Sequence, residues 1–195
     1  TVLLLNQDAT VIPGGIEILR DTLKHDPRCG AVSGKIENPD GTLQPSMGPR
    51  PHPLRVALDR VPLVRDVIPT HVYRNPTAYA VARTPGWLTG TCLLIRRGAL
   101  EDVGLFDERY FMYAEDLDWC ARARKRGWKL QYLPVRTSVH ADAGRRPDRA
   151  AAKAAWMREG LLTYFTKHGT AAEVRVFRLL LAAERIAKAK RLTIS

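Results

Sequence analysis

Apolar and polar positions along this chain fall into alternating strand-like and helix-like stretches. The run Val2-Leu3-Leu4-Leu5 predicts a buried strand, and Ile12-Pro13-Gly14-Gly15 leads into a helix with Ile16, Leu19 and Leu23 on one face. Gly30 to Ile36 predicts a second strand, closed by the turn Asn38-Pro39-Asp40-Gly41. The proline-rich stretch from Pro45 to Pro85 predicts a long excursion with one helix near Val56 to Val67. Regular pattern returns with a strand at Cys92 to Ile95 and a short helix near Gly98 to Val103. A helix follows from Glu115 to Arg126, then a strand at Lys129 to Leu133 and an extended piece ending at His140. Ala150 to Lys167 and Ala171 to Arg191 lack proline and predict two helices. Strands alternating with helices indicate an α/β sheet. The expected division is a unit over 1–145 and a basic helical extension over 146–195.

Composition places the chain among ordinary globular proteins, with 45% hydrophobic and 26% charged residues in 195. No apolar run is long enough to span a bilayer and no signal-peptide pattern opens the chain, so a soluble or peripheral protein is expected. Cys29, Cys92 and Cys120 are odd in number and widely spaced, which argues against a disulfide framework or a thiolate metal site. They read as small apolar fillers in a reducing compartment.

Charge is distributed unevenly. The formal net charge is +11, and residues 145–195 hold twelve Lys/Arg against four Asp/Glu, a net of +8. A polyanionic partner is implied, either nucleic acid or an anionic membrane surface. Aromatic residues are sparse in that stretch and no nucleic-acid motif appears, so nucleic acid is not expected. Val174, Phe177 and Leu181 give the last helix an apolar face flanked by Arg175, Arg178 and Arg185, fit either for a membrane surface or for packing on the domain.

Against this background five carboxylates occur between Asp107 and Asp118. First-turn acids stabilise a helix through its dipole, so a plain cap is one reading. The other is a general base at Asp116, kept ionised by the helix N-terminus and correspondingly weakened. Asp8, just after a strand, can ligate a hard cation or simply form a turn. His140, also after a strand, is a metal ligand or a structural histidine. Trp87 with Gly90 and Thr91 forms a sugar platform, or Trp87 packs in the core. No P-loop, GxGxxG, HExxH or GxSxG pattern is present.

Taken in order, Leu3 to Asp8 with Pro13-Gly14, Gly86 to Arg97, Val103 to Asp118, Arg122, Gly127-Trp128 and His140 resemble the second half of a family 2 inverting glycosyltransferase, in the branch of the bacterial rhamnosyltransferases. The run from Gly86 to Trp128 is the specific part. The resemblance covers Thr1 to His168 and implies a partial GT-A, Rossmann-like fold for nucleotide-diphospho-sugar transfer, with the nucleoside-binding first half lying outside this chain. It implies that Asp8 and His140 bind a divalent metal, Mn or Mg, with Asn6 and Asp8 toward the donor. Asp116 would be the base, and Glu115 would contact the acceptor together with Trp87, Gly90 and Thr91. The implied reaction moves a sugar, expected to be L-rhamnose from a dTDP-linked donor, to a lipid-diphosphate-linked saccharide during cell-envelope synthesis. Galactofuranosyl, mannosyl or glucosyl transfer fits the same motifs. The rival from another class is a non-catalytic basic module that binds anionic lipid or nucleic acid. The implied location is cytoplasmic, on the inner face of the plasma membrane.

Overall fold

The structure, a computed structural model, describes residues 1–59, 70–141 and 150–194. Its centre is a mixed six-stranded sheet built from β1 (Val2–Leu5), β2 (Ala9–Val11), β3 (Cys29–Glu37), β4 (Leu43–Gln44), β7 (Cys92–Ile95) and β8 (Lys129–His140). The order is β1-β7-β3-β8-β2, with β4 beside β3. Among the described residues only the β3–β8 pair is parallel; β7 runs antiparallel to both β1 and β3. A small second sheet pairs β5 (Met47–Gly48) with β6 (Trp87–Leu88).

Helix α1 (Gly15–His25) buries Leu19 and Leu23 against one sheet face, as its spacing predicts. The expected short strand and separate piece before His140 are one continuous strand, β8, whose twelve residues hold their pairing with β3 through register shifts. The short β2 was not apparent in the pattern, and neither was β4. Both are held by neighbouring strands rather than by apolar runs of their own. The strand expected to be buried, β1, is only partly so: it pairs with β7 at an edge among the described residues, and Leu5 is 40% exposed.

In the proline-rich excursion, α2 (Pro53–Leu58) begins near the expected helix, whose remainder lies largely outside the described residues. The Tyr79 hydroxyl fixes the path of this region. It accepts from Ser46 N–H (2.9 Å) and Met47 N–H (3.3 Å) and donates to the Tyr73 carbonyl (2.9 Å).

The opposite sheet face is covered by α3 (Arg97–Val103), α4 (Glu115–Lys125), α5 (Ala150–His168) and α6 (Ala171–Ile194). Leu161, Tyr164 and Phe165 of α5 and Phe177 of α6 share one buried cluster with Leu93, Ile95, Trp119 and Leu130. The two C-terminal helices are therefore built into the core, and Val174, Phe177 and Leu181 face it. All three cysteines are buried free thiols, in keeping with the apolar-filler reading.

Candidate active site

At one end of the sheet, β1 stops at Leu5 and the chain turns through Asn6-Gln7-Asp8, with Ala9 N–H donating to the Asn6 carbonyl (3.0 Å). Strand β2 then pairs antiparallel with the end of β8, placing Ala9 opposite His140. That pairing draws Asp8 to His140, with Oδ1 and Nε2 3.0 Å apart. The Gln44 Oε1 lies 2.9 Å from His140 Nδ1, and Asn6 Nδ2 lies 3.3 Å from Nε2. With Nδ1–H donated to Gln44, Nε2 would present its lone pair; protonated at Nε2, the ring instead donates to Asp8. In the first form a cation between Nε2 and the Asp8 carboxylate would satisfy both groups; in the second they are hydrogen-bonded directly at 3.0 Å. Their separation is that of adjacent ligands around an ion with bonds of about 2.1 Å. Among the described residues no group of three or more His, Cys, Asp or Glu side chains could hold a metal. Asp8 and His140 supply two donors of the kinds a divalent cation takes, and its remaining positions would have to come from a ligand and water.

Gln44 is the residue missed in the sequence. The turn at 38–41 was the available signal, since a tight turn after β3 returns β4 along it and brings position 44 back toward the strand's end.

The acidic cluster separates into two kinds of carboxylate. Asp107 is paired with Arg109 and Lys167, both at 2.6 Å, and is held well below the usual carboxylate range. Asp118 is fully buried; burial alone would raise it, but His168 Nε2 (2.6 Å), Lys167 Nζ (2.7 Å) and Arg122 Nε (2.8 Å) hold it far below its ordinary value. Both residues tie the loop before α4, and α4 itself, to the end of α5.

Glu115 and Asp116 have no such cations among the ion pairs of the described residues. Asp116 Oδ2 accepts from Gly90 N–H (3.1 Å) and Oδ1 from Leu117 N–H (2.8 Å). The helix N-terminus was expected to dominate its ionisation. Instead, burial pushes the Asp116 carboxyl upward, outweighing the donated N–H groups. Glu115 is pushed up to about 6, first by burial and then by the neighbouring Asp116 charge. Its Oε2 is buried without a hydrogen-bond partner. A carboxylate with a raised pKa and an unpaired oxygen can accept a proton, or a hydrogen bond from a ligand hydroxyl.

Backbone joins the two corners. Asn6 N–H donates to the Thr91 carbonyl (3.0 Å), one residue from the Gly90 N–H that donates to Asp116. The turn before α4 is fixed by Tyr113 and Ala114, both left-handed with φ of 68° and 69°. Trp87 sits in the core, its indole N–H donating to the His71 carbonyl (2.9 Å), so the core alternative describes its position. Thr91 is buried beside Thr89, their hydroxyls 3.2 Å apart.

Residues 71–169, half of the chain, match the family model described as glycosyltransferase like family 2. The chain belongs to that family. Its α/β sheet with packed helices is consistent with part of a GT-A fold. Over 151 residues it is 40% identical to the N-acetylglucosaminyl-diphospho-decaprenol L-rhamnosyltransferase of Mycobacterium tuberculosis, covering 75% of this chain and 49% of that protein. It is 39% identical over 54 residues to the rhamnosyltransferase WbbL of Escherichia coli, covering 28% of this chain and 20% of that one. A low-salt glycan biosynthesis hexosyltransferase, Agl10 of Haloferax volcanii, matches at 31% over 51 residues, covering 26% and 17%. The chain spans about half the length of the mycobacterial relative.

Proposed function

We propose that this chain carries the acceptor and metal side of an inverting rhamnosyltransferase. In this reading it moves L-rhamnose from dTDP-rhamnose to a hydroxyl of a saccharide linked through diphosphate to a polyprenol, in cell-envelope polysaccharide synthesis. The acceptor class rests on the name of the mycobacterial relative, which acts on N-acetylglucosaminyl-diphospho-decaprenol. The observation that carries the mechanism is the pair of hydrogen bonds, Asn6 N–H to the Thr91 carbonyl and Gly90 N–H to the Asp116 carboxylate, connecting the Asp8–His140 corner to a carboxylate of raised pKa.

Asp116 takes the proton of the acceptor hydroxyl as that oxygen attacks the anomeric carbon. One displacement, from the side opposite the leaving diphosphate, inverts the centre. Glu115 orients the acceptor through its open buried oxygen, with Gly90 and Thr91 lining the approach. Asp8 and His140, aided by Asn6, hold the diphosphate end of the donor, and Gln44 keeps His140 in the tautomer that presents Nε2. A bound Mn or Mg ion supplies neutralisation of the charge that builds on the departing nucleoside diphosphate. The protein works in the cytoplasm on the inner face of the plasma membrane, where its acceptor is anchored.

The test incubates the protein carrying this sequence with dTDP-rhamnose and a polyprenyl-diphospho-N-acetylglucosamine acceptor, and reads the anomeric configuration of the product by NMR. Galactofuranosyl, mannosyl and glucosyl nucleotide donors run alongside. Preference for one of those donors corrects the sugar; no transfer from any donor removes the catalytic reading and leaves a basic lipid-binding module.

A further inference from the structure

We propose that the exposed Phe111–Met112 tip, with Trp156 and Lys153 of α5 behind it, is the surface that seats this protein on an anionic membrane. The role of the surface in reaching a lipid-linked acceptor rests on the function proposed above; the membrane contact itself does not.

Phe111 is 77% exposed and Met112 40% exposed, side by side in a loop that is otherwise well anchored. The anchoring is visible on both sides of the tip. Before it, Asp107 holds Arg109 and Lys167, and Tyr110 is buried; after it, the left-handed Tyr113 and Ala114 lead directly into α4. A fixed turn that presents two large apolar side chains to water leaves most of their apolar area without a partner in the fold.

The surroundings match the chemistry of a lipid interface. The Phe111 ring meets Trp156 edge-on, with centroids 5.5 Å apart, and Lys153 Nζ lies 5.7 Å from the centre of the Tyr113 ring. Apolar and aromatic residues flanked by a cation suit acyl chains below and phosphates above. The formal net charge of +11 adds long-range attraction to an anionic surface.

Position supplies the third argument. Asp116 follows Phe111 by five residues and so lies within about 18 Å of it, even for a fully extended chain. A tip buried at the headgroup boundary therefore sets the height of Glu115 and Asp116 above the bilayer. That height is where the sugar of a diphosphate-linked lipid must sit.

The outer face of α6 is the rival surface. There Leu179 and Ile186 are exposed, but they stand singly among Arg178, Ala182, Ala183 and Arg185. Isolated exposed aliphatics on a helix are ordinary.

Flotation with vesicles of phosphatidylcholine, with and without phosphatidylglycerol, tests the proposal on the 195-residue chain at low salt. Wild type is expected to float with the anionic vesicles, with a blue shift of tryptophan emission that Trp156→Phe removes. The double variant Phe111→Ser, Met112→Ser should lower partitioning roughly tenfold or more. Lys153→Glu should weaken binding only where phosphatidylglycerol is present, and Leu179→Ser with Ile186→Ser should change little. Thermal melts accompany each variant, and Met112→Ser alone serves if the double variant loses its fold. Failure of wild type to float overturns the proposal. So does unchanged flotation of the tip variants, or loss of flotation in the α6 variant alone.

Transfer assays separate this outcome from the function proposed above. A water-soluble short-chain acceptor should be used equally by wild type and the tip variants, while transfer to a long-chain acceptor in vesicles falls. If flotation behaves as expected and no donor is used by any form, the membrane surface stands and the transferase reading fails.

Discussion

Gly160 approaches Tyr113 so closely that a Cβ at position 160 would lie 2.4 Å from the Tyr113 carbonyl oxygen. The left-handed turn that launches α4 is thus seated on the backbone of α5. Replacing a glycine inside a helix by alanine ordinarily gains about 1 kcal/mol. Here Gly160→Ala must push a backbone carbonyl aside, and a net destabilisation of roughly 1–3 kcal/mol is expected. A melting temperature equal to or above wild type would show that the turn does not depend on this seat.

Asp116 separates an enzyme from every binding-module reading. Asp116→Asn keeps shape and leaves the Gly90 N–H an oxygen to donate to, but cannot accept a proton. Turnover should fall by roughly two to four orders of magnitude. Because burial pushes the Asp116 carboxyl upward, losing the charge offsets the loss of one of its two N–H bonds, and the melting temperature should move only slightly. Near-normal transfer by this variant would return the acidic cluster to the role of a helix cap.

The long periodic elements were legible because their apolar spacing is local: Leu19 and Leu23 announce α1, and Cys92 to Ile95 announce β7. What was hidden depends on pairing. Strand β2 is three residues long and is defined by β8, so the meeting of Asp8 with His140 can be anticipated from family resemblance but not from spacing. The division of the acidic cluster was equally hidden. Asp118 and Asp116 are two residues apart in the sequence, yet of the two only Asp118 faces the cations at the end of α5. Trp87 shows the reverse limit, since an aromatic residue beside a glycine-threonine turn reads alike whether it lines a cleft or fills a core.

Glu115 should make stability depend on pH in the unusual direction. Its carboxyl rises from 4.5 to about 6 on folding, so its contribution is fully present below 4.5 and is lost as pH rises through 6. Glu115→Gln should therefore melt a few degrees higher than wild type at pH 8, with the difference closing below about pH 4.5. A constant difference across this range would mean that Glu115 is solvated. In transfer assays the same variant should weaken acceptor use more than donor binding.

Asp118 behaves in the opposite way. Its folded-state value is depressed, so its contribution is full above 3.8 and is lost as pH falls through the folded value. Asp118→Asn leaves Lys167, His168 and Arg122 around a neutral amide and should cost on the order of 3 kcal/mol at neutral pH. Chemical denaturation at pH 7 measures it. A large loss of transfer with an unchanged denaturation midpoint would move the base from Asp116 to Asp118.

The metal corner makes a graded prediction across three residues. Asp8 supplies the only charged donor of the pair, so Asp8→Ala should abolish both Mn or Mg dependence and transfer. Water can replace one neutral ligand of a hard cation, so His140→Ala should be milder. Gln44 touches His140 and would not itself hold the ion; Gln44→Leu removes the acceptor for Nδ1–H and frees the imidazole to turn or to change tautomer. Loss of such a supporting contact typically weakens metal affinity by roughly 10–100-fold. Titration of Mn into the protein in the presence of the nucleotide, followed by electron paramagnetic resonance, reads affinity without relying on turnover. Order matters more than size: Gln44→Leu should weaken binding less than Asp8→Ala, and excess Mn should restore transfer to Gln44→Leu but not to Asp8→Ala. Full metal-dependent turnover by Asp8→Ala would remove the corner from the mechanism, because His140 and Asn6 alone offer a cation no negative charge.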